Sequence, residues 1–193
     1  MQVVKISDKE RSSIRMILSL LGINHQEVRD HVKRVALLSA RVAKKLGMDT
    51  KAAYMGGIFH DIGKLTLNGD LFSGREISNV EYEDIKRHVF IGSSVLKDQY
   101  LFTSLVAGLH HHMSSQSGYG LSTLDFPPKM SLSTIKKVLD IAGVVAICDF
   151  ADAYVNRKTT VKGQVKGTLR EMLSLNFPNN LSVVETVLEE QCK

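Results

Sequence analysis

Apolar residues recur at helical spacing along almost the whole chain, and the strict alternation that marks a half-buried strand is nearly absent. That regularity points to the all-α class: a bundle of amphipathic helices closing on one core. The length of 193 residues and a hydrophobic content of 44% suffice for one such core, so residues 1–193 are expected to form a single domain. Ser7 and Glu10 form a capping box that opens a first helix through about Leu21, with Gly22 as its stop. A second helix is expected from about His25 to Leu46, with Val28, Val35, Leu38 and Val42 on one stripe and Gly47 as its end. Asp49 caps a third, which ends near the stretch GIFHDIGK at residues 57–64. Residues 65–78 carry turn signals, and helices follow over about 80–97 and 99–112. A second loop, SSQSGYGLSTLDFPPK, precedes a long apolar helix over about 133–155. Two shorter helices close the chain, the last opened by a capping box of Ser182 with Glu185.

Charge and cysteine usage narrow the setting. Twenty-five basic against 20 acidic side chains leave a net charge of +5, which favours anionic ligands. The excess is mild and no long basic run appears, so a nucleic-acid partner is not expected. Two cysteines, Cys148 and Cys192, make no disulfide framework and suit a reducing cytoplasm. The N-terminal stretch lacks a leader's apolar region and no run is long enough for a membrane span, so a cytoplasmic protein without a membrane partner is expected. An apolar segment from Leu181 to Leu188, expected outside the core, is a candidate dimer face.

The seven histidines carry most of the chemical information, and only His25 falls outside the pattern of the helices. His31 shares the stripe of Val28, Val35 and Leu38 and should face the interior, with Glu27 one turn before it on the same side. Asp149 shares the stripe of Ile135, Val138, Ala142 and Val145, so its carboxylate also points inward. A buried carboxylate without a partner is costly or takes up a proton. Taken singly, each residue has an ordinary reading: a core histidine on a carbonyl, a salt-bridge aspartate, a surface Glu27–His31 pair, a solvated Lys64. Taken together, His31, His60, Asp61, His88, the run His110-His111-His112 and Asp149 come from different helices. That is how a metal site is built inside a helical bundle, and imidazole with carboxylate suits divalent ions of intermediate hardness.

With these residues in view, the sequence resembles the HD superfamily of metal-dependent phosphohydrolases, whose signature is a His, a His-Asp pair and a distant Asp, here His31, His60-Asp61 and Asp149. It looks most like the HD-GYP branch of bacterial cyclic dinucleotide phosphodiesterases, in HDIGK at 60–64, KRHVFIG at 86–92, HHH at 110–112, GYG at 118–120 and CDFADAYVNRK at 148–158. The resemblance covers a motif-bearing core of about residues 22–160, leaving 161–193 as a helical extension. It implies one metal ion held by His31, His60, Asp61 and Asp149, and a second sharing Asp61 as bridge and taking His88, His110 and His111. A third ion, present in some members, would use Glu27. Iron or manganese is implied first, with nickel or zinc also suited to the donors. Lys64 matches a phosphate-contacting lysine, Arg157 a basic residue for the second phosphate of a dinucleotide, and Tyr119 a substrate contact in the Gly-Tyr loop. Two cations sharing a water lower its pKa and aim it at a phosphorus whose oxygens they polarise. Asp61 and Lys64 are the catalytic candidates, the one as bridge and the other as neutraliser of charge growing on the phosphoryl oxygens.

The chain departs from the branch at three places. His112 stands where the family has glutamate; it either donates an extra imidazole or, as the favoured reading, packs on the stripe of Leu101 and Leu105. Gly120 and Gln116 stand where the family has proline and usually glycine, and Leu67-Asn68-Gly69 replaces an Ile-Pro-Asp step. The reading is a metal-dependent phosphodiesterase of a cyclic dinucleotide such as cyclic di-GMP, or of a related nucleotide phosphate. Two others stand beside it: a catalytically weak signalling module that binds ligand and acts through a protein partner, and a general nucleotide phosphohydrolase. No sensor segment is expected ahead of the first helix, so regulation would come from a partner chain, from substrate supply, or not at all.

Overall fold

The computed structural model describes residues 4–116, 118–156 and 167–191. Among these residues there are nine α-helices and no strand: α1 Asp8–Asn24, α2 Gln26–Lys45, α3 Thr50–Phe59, α4 Asn79–Lys86, α5 His88–Leu96, α6 Leu101–Leu109, α7 Leu132–Asn156, α8 Leu169–Asn176 and α9 Leu181–Gln191. Tight 3-10 turns at Ile62–Thr66, Gly69–Phe72 and Thr123–Asp125 punctuate the loops. The Ser7–Glu10 capping box and the Asp49 cap are present, and Gly47 follows α2 with φ at +66°.

The organising element is α7. It is apolar nearly all round, with Val138, Ile141, Ala142, Val144, Val145, Ala146, Ile147 and Cys148 buried, and a helix of that kind belongs in the middle of a fold. Around it lies a core cluster that takes Val35, Leu38 and Val42 from α2, Leu105 and Leu109 from α6, Leu173 from α8 and Val184 and Val187 from α9. A second cluster joins Ile14, Ile17 and Leu21 of α1 to Val28, Val32 and Ala36 of α2 and to Ile58 and Phe59 of α3. Helix α2 therefore serves both, its opposite flanks packing on α7 and on α1, while α3 lies along it. Among the described residues no helix is long and apolar enough to cross a membrane.

Several boundaries differ from the expected ones. Gly22 does not stop α1: it has no positive φ, and the helix runs on until His25 N–H donates to the Leu21 carbonyl. The expected helix over 80–97 is two, α4 and α5, divided at Arg87, and the one over 99–112 ends at Leu109. Ser182 does not cap α9; that helix starts one residue earlier, with Asn180 accepting from Val183 and Val184, and Glu185 pairs with Arg170 instead. Capping boxes occur at Ser78–Glu81 and Thr168–Glu171. The segment Leu181–Leu188 is not outside the core either: Val183, Val184 and Val187 are buried against α2, α7 and α8.

Candidate metal centre

Five elements deliver polar side chains to one buried spot. His31 comes from the middle of α2, His60 and Asp61 from the end of α3, His88 from the start of α5, His110 and His111 from just beyond α6, and Asp149 from α7. His60, Asp61, His88 and His110 are almost wholly buried, and Asp149 is 8% exposed. Asp61 is the hub: Oδ2 lies 3.3 Å from His60 Nε2 and 3.7 Å from His31 Nε2, and Oδ1 lies 3.1 Å from His88 Nε2. Asp149 Oδ1 stands 3.0 Å from His31 Nε2 and 3.8 Å from His60 Nε2. His110 is in edge contact with the His60 ring, and its centroid is 4.1 Å from that of His111. Three overlapping sets, His31-His60-Asp61, His60-His110-Asp149 and His88-His110-His111, each bring their donor atoms within 4.8 Å of one another.

The backbone explains how residues 61 and 88 come so close. The 3-10 turn after Asp61 runs against the start of α5, and a Cβ on Gly63 would lie 2.0 Å from the His88 carbonyl oxygen. Only glycine allows that approach. The helix ends then orient the rings. Nδ1 of His60, His88 and His110 each lies within hydrogen-bond distance of the carbonyl three residues earlier, at 2.9, 2.6 and 2.7 Å on Gly57, Ile85 and Ala107. Nδ1 is thus the protonated nitrogen, and the Nε2 lone pairs face the shared space. Nε2 of His31, His60, His88 and His110, with Asp61 Oδ1, makes no hydrogen bond. Buried polar atoms are seldom left so, and a set of unprotonated imidazole nitrogens around two carboxylates fits a divalent cation.

The electrostatics agree. Burial opposes charge on Asp61, but Lys64 and the His60 and His88 rings outweigh it and hold the carboxyl well below the usual range. Asp149 is also held well below it, burial being outweighed by His31 and His60. Burial likewise disfavours a proton on His60, yet Asp61 and Asp149 override it and raise the ring to about 10. Burial, reinforced by neighbouring rings, keeps His110 well below its ordinary value, and burial, helped by His88 and Lys64 against Asp149 and Asp61, pushes His111 down to about 3. Two buried carboxylates thus draw positive charge to this spot, a proton onto His60 while no cation is there, whereas His110 and His111 stay neutral and keep their lone pairs for a cation.

Around this centre, Lys64 is 5% exposed with Nζ at 2.5 Å from Asp61 Oδ2. Tyr119 stacks on His111 at 4.4 Å, and Lys86 Nζ lies 5.7 Å over the Tyr119 ring. Glu27 belongs to none of the three donor sets; it lines a cleft beside the centre with Val28, Arg34, Lys64, Phe72 and Asn156. Arg157 lies outside the described residues. His112 is exposed and packs on no stripe, because α6 ends at Leu109 and the chain turns there. The sequence reading missed Asp152, one turn after Asp149 in CDFAD, whose Oδ2 is 2.7 Å from His31 Nδ1. Equal spacing of two carboxylates on one face of α7 was the available signal.

Known proteins fall in line with this arrangement. The family described as HD domain matches residues 28–156. The 3'3'-cGAMP-specific phosphodiesterase 1 of Vibrio cholerae is 33% identical over 139 residues, which are 65% of this chain and 32% of that protein. The cyclic di-GMP phosphodiesterase of Thermotoga maritima is 29% identical over 155 residues, 74% of this chain and 38% of that one. Ribonuclease Y of Helicobacter pylori is 46% identical over a shorter stretch of 63 residues, 33% of this chain and 11% of that enzyme. The chain thus spans less than two fifths of the length of the first two kinds of relative, and far less of the third. In three dimensions, the HD domain of the L. monocytogenes phosphodiesterase PgpH, solved in complex with cyclic-di-AMP, superposes with a TM-score of 0.60 at 16% identity, covering 91% of this chain and 96% of that one. That likeness is one of fold.

Proposed function

The chain belongs to the HD domain family, and from that premise we propose that it is a metal-dependent phosphohydrolase of the HD-GYP type. Its substrate would be a phosphodiester, that of a cyclic dinucleotide such as cyclic di-GMP. The observation that carries this reading is the convergence of imidazole and carboxylate donors from five elements, with their Nε2 atoms turned inward and unbonded. His31, His60, Asp61 and Asp149 would hold one divalent ion; His88, His110 and His111, with Asp61 as bridge, would hold a second. Iron or manganese is the favoured pair, and nickel or zinc suits the same donors. Glu27 is kept for a third ion. The names of the two phosphodiesterase relatives, both acting on cyclic dinucleotides, support the substrate class.

When bound, the ions supply Lewis acidity: they lower the pKa of a shared water and polarise the phosphoryl oxygens. The chain's own groups do the rest. Asp61 sets the spacing by offering one oxygen to the His31–His60 side and the other to His88. Lys64, buried beside it, meets charge growing on the phosphoryl oxygens. The cleft beside Lys64, walled by Val28 and Phe72 and edged by Arg34 and Asn156, offers an apolar face and polar rim of the kind a nucleoside needs. Tyr119, stacked on His111, would contact the substrate, and Arg157 would take the second phosphate. A cytoplasmic setting accords with Cys148, a buried free thiol.

One observation favours a second reading. Gly120 has φ at +114°, so proline, locked near −65°, cannot replace it without rebuilding the loop beside Tyr119. A loop rebuilt in this way would suit a ligand-binding signalling module with a protein partner, or a nucleotidase of different specificity. The test is product analysis. Protein loaded anaerobically with Fe²⁺ or Mn²⁺ should convert a cyclic dinucleotide to its linear form. Inorganic phosphate from mononucleotides would move the assignment to a nucleotidase; tight binding without turnover would move it to a signalling module.

A further inference from the structure

His60, His88 and His110 stand at helix ends, where the last carbonyls of a helix lack an intrahelical partner and are available to a ring nitrogen. His31 has no such option. It sits within α2, where the carbonyls of the preceding turn are engaged by the helix's own ladder. A ring in that position needs an acceptor from another element, and Asp152 on α7 provides it, 2.7 Å from Nδ1. The carboxylate is itself clasped. Arg34, one turn beyond His31, donates Nε to Oδ1 at 2.7 Å and Nη2 to Oδ2 at 3.0 Å, and Asn156 adds a bond to Oδ1 at 3.0 Å. The Asp152 side chain is only 5% exposed, whereas that of Arg34 is 43% exposed. The guanidinium therefore neutralises the carboxylate from the solvent side.

We propose that Asp152 is a positioning residue for the metal centre: it fixes the His31 ring with the proton on Nδ1 and the Nε2 lone pair toward Asp61 and Asp149, and Arg34 locks it in place. The inference rests on the reading of His31 as a ligand. A carboxylate is a better acceptor than a backbone carbonyl, so it holds the ring more firmly and makes its free nitrogen a stronger donor. With Arg34 opposite, it does this without adding net charge to a centre that already holds Asp61 and Asp149. The rings of His31, His60, His88 and His110 are then oriented by two devices, a carbonyl at a helix end and a carboxylate across helices.

The experiment is a Zn²⁺ and Mn²⁺ titration of the full chain against a chromophoric chelator, in wild type, Asp152→Ala and the near-isosteric Asp152→Asn. Thermal melts of the cation-free proteins accompany it. Removing a partner of this type weakens metal binding by roughly 10- to 100-fold, so Asp152→Ala should lose that factor for one cation and keep the affinity of the other. Asp152→Asn, which can still present an oxygen to Nδ1–H, should lie between the two. Nitrogen NMR of the Zn²⁺-loaded protein should show a protonated His31 Nδ1 that disappears in Asp152→Ala. Wild-type and alanine proteins with equal cation affinity would overturn the inference while leaving the metal centre standing, even if the melt shifts. Wild type that takes up no cation would overturn both.

Discussion

Lys64 sits in a place where few lysines are found: almost wholly buried, three residues after the carboxylate that it neutralises. Its ammonium competes with any cation for Asp61 Oδ2, so its loss should not release metal. Lys64→Met keeps the volume and removes the charge; metal content should stay at the wild-type level or rise, while kcat falls by roughly 100-fold, as for one lost oxyanion donor. Elemental analysis beside steady-state kinetics would check it, and unchanged kcat would reduce Lys64 to a structural counterion. At this scale the sequence was informative about residue types and less so about their partners. His31 and Asp149 were placed facing inward by their stripes, and both do. Asp152 escaped notice because its place one turn after Asp149 says only that the two share a face of α7; its partner depends on how α7 docks against α2. His112 was misread for a related reason: its stripe exists only if α6 continues past Leu109, and the chain turns instead.

Among the elements, the decisive contact is between the turn Ile62–Thr66 and the first residues of α5. A methyl on Gly63 would collide with the His88 carbonyl oxygen, a backbone atom that cannot swing aside. Gly63→Ala should therefore cost roughly 1–3 kcal/mol or more by forcing the two segments apart, and denaturant unfolding of the cation-free chain would read it directly. A midpoint like that of wild type would mean the turn can relax without moving His88. The helices themselves were legible in number and order wherever the apolar period was long, as in α2 and α7. Their ends were not, and the misplaced ends fall beside the site. The expected helices ran through Arg87 and on to His112, whereas His88 and His110 lie where helices begin or end, and their rings meet Ile85 and Ala107 carbonyls. Amphipathic spacing does not register whether a carbonyl bonds the next turn or an imidazole.

For the molecule as a whole, the buried rings make the stability of the cation-free protein depend on pH in both directions. His60, raised to about 10, retains a proton that the unfolded chain releases near its ordinary value of 6.5. Its contribution is present in full below that value and is lost as pH rises toward 10. His111, lowered to about 3, acts oppositely: below 6.5 the unfolded chain binds a proton that the folded one refuses, so stability falls as acid is added. His110 works in the same sense, and Asp61 and Asp149, held below the usual range, withdraw their contributions in stronger acid. The denaturant midpoint of the cation-free protein should therefore peak between about pH 6 and 7; a midpoint rising steadily to pH 10 would contradict the charge balance described here. The donors also have an order in time. They are spread from residue 31 to residue 149, and the last of them lies on the helix at the middle of the core. A chain still emerging from the ribosome has most of its imidazoles early but no pocket to put them in. Assembly of the donor set is thus a closing event of folding, and a chain halted before α7 would carry its early histidines with no pocket around them.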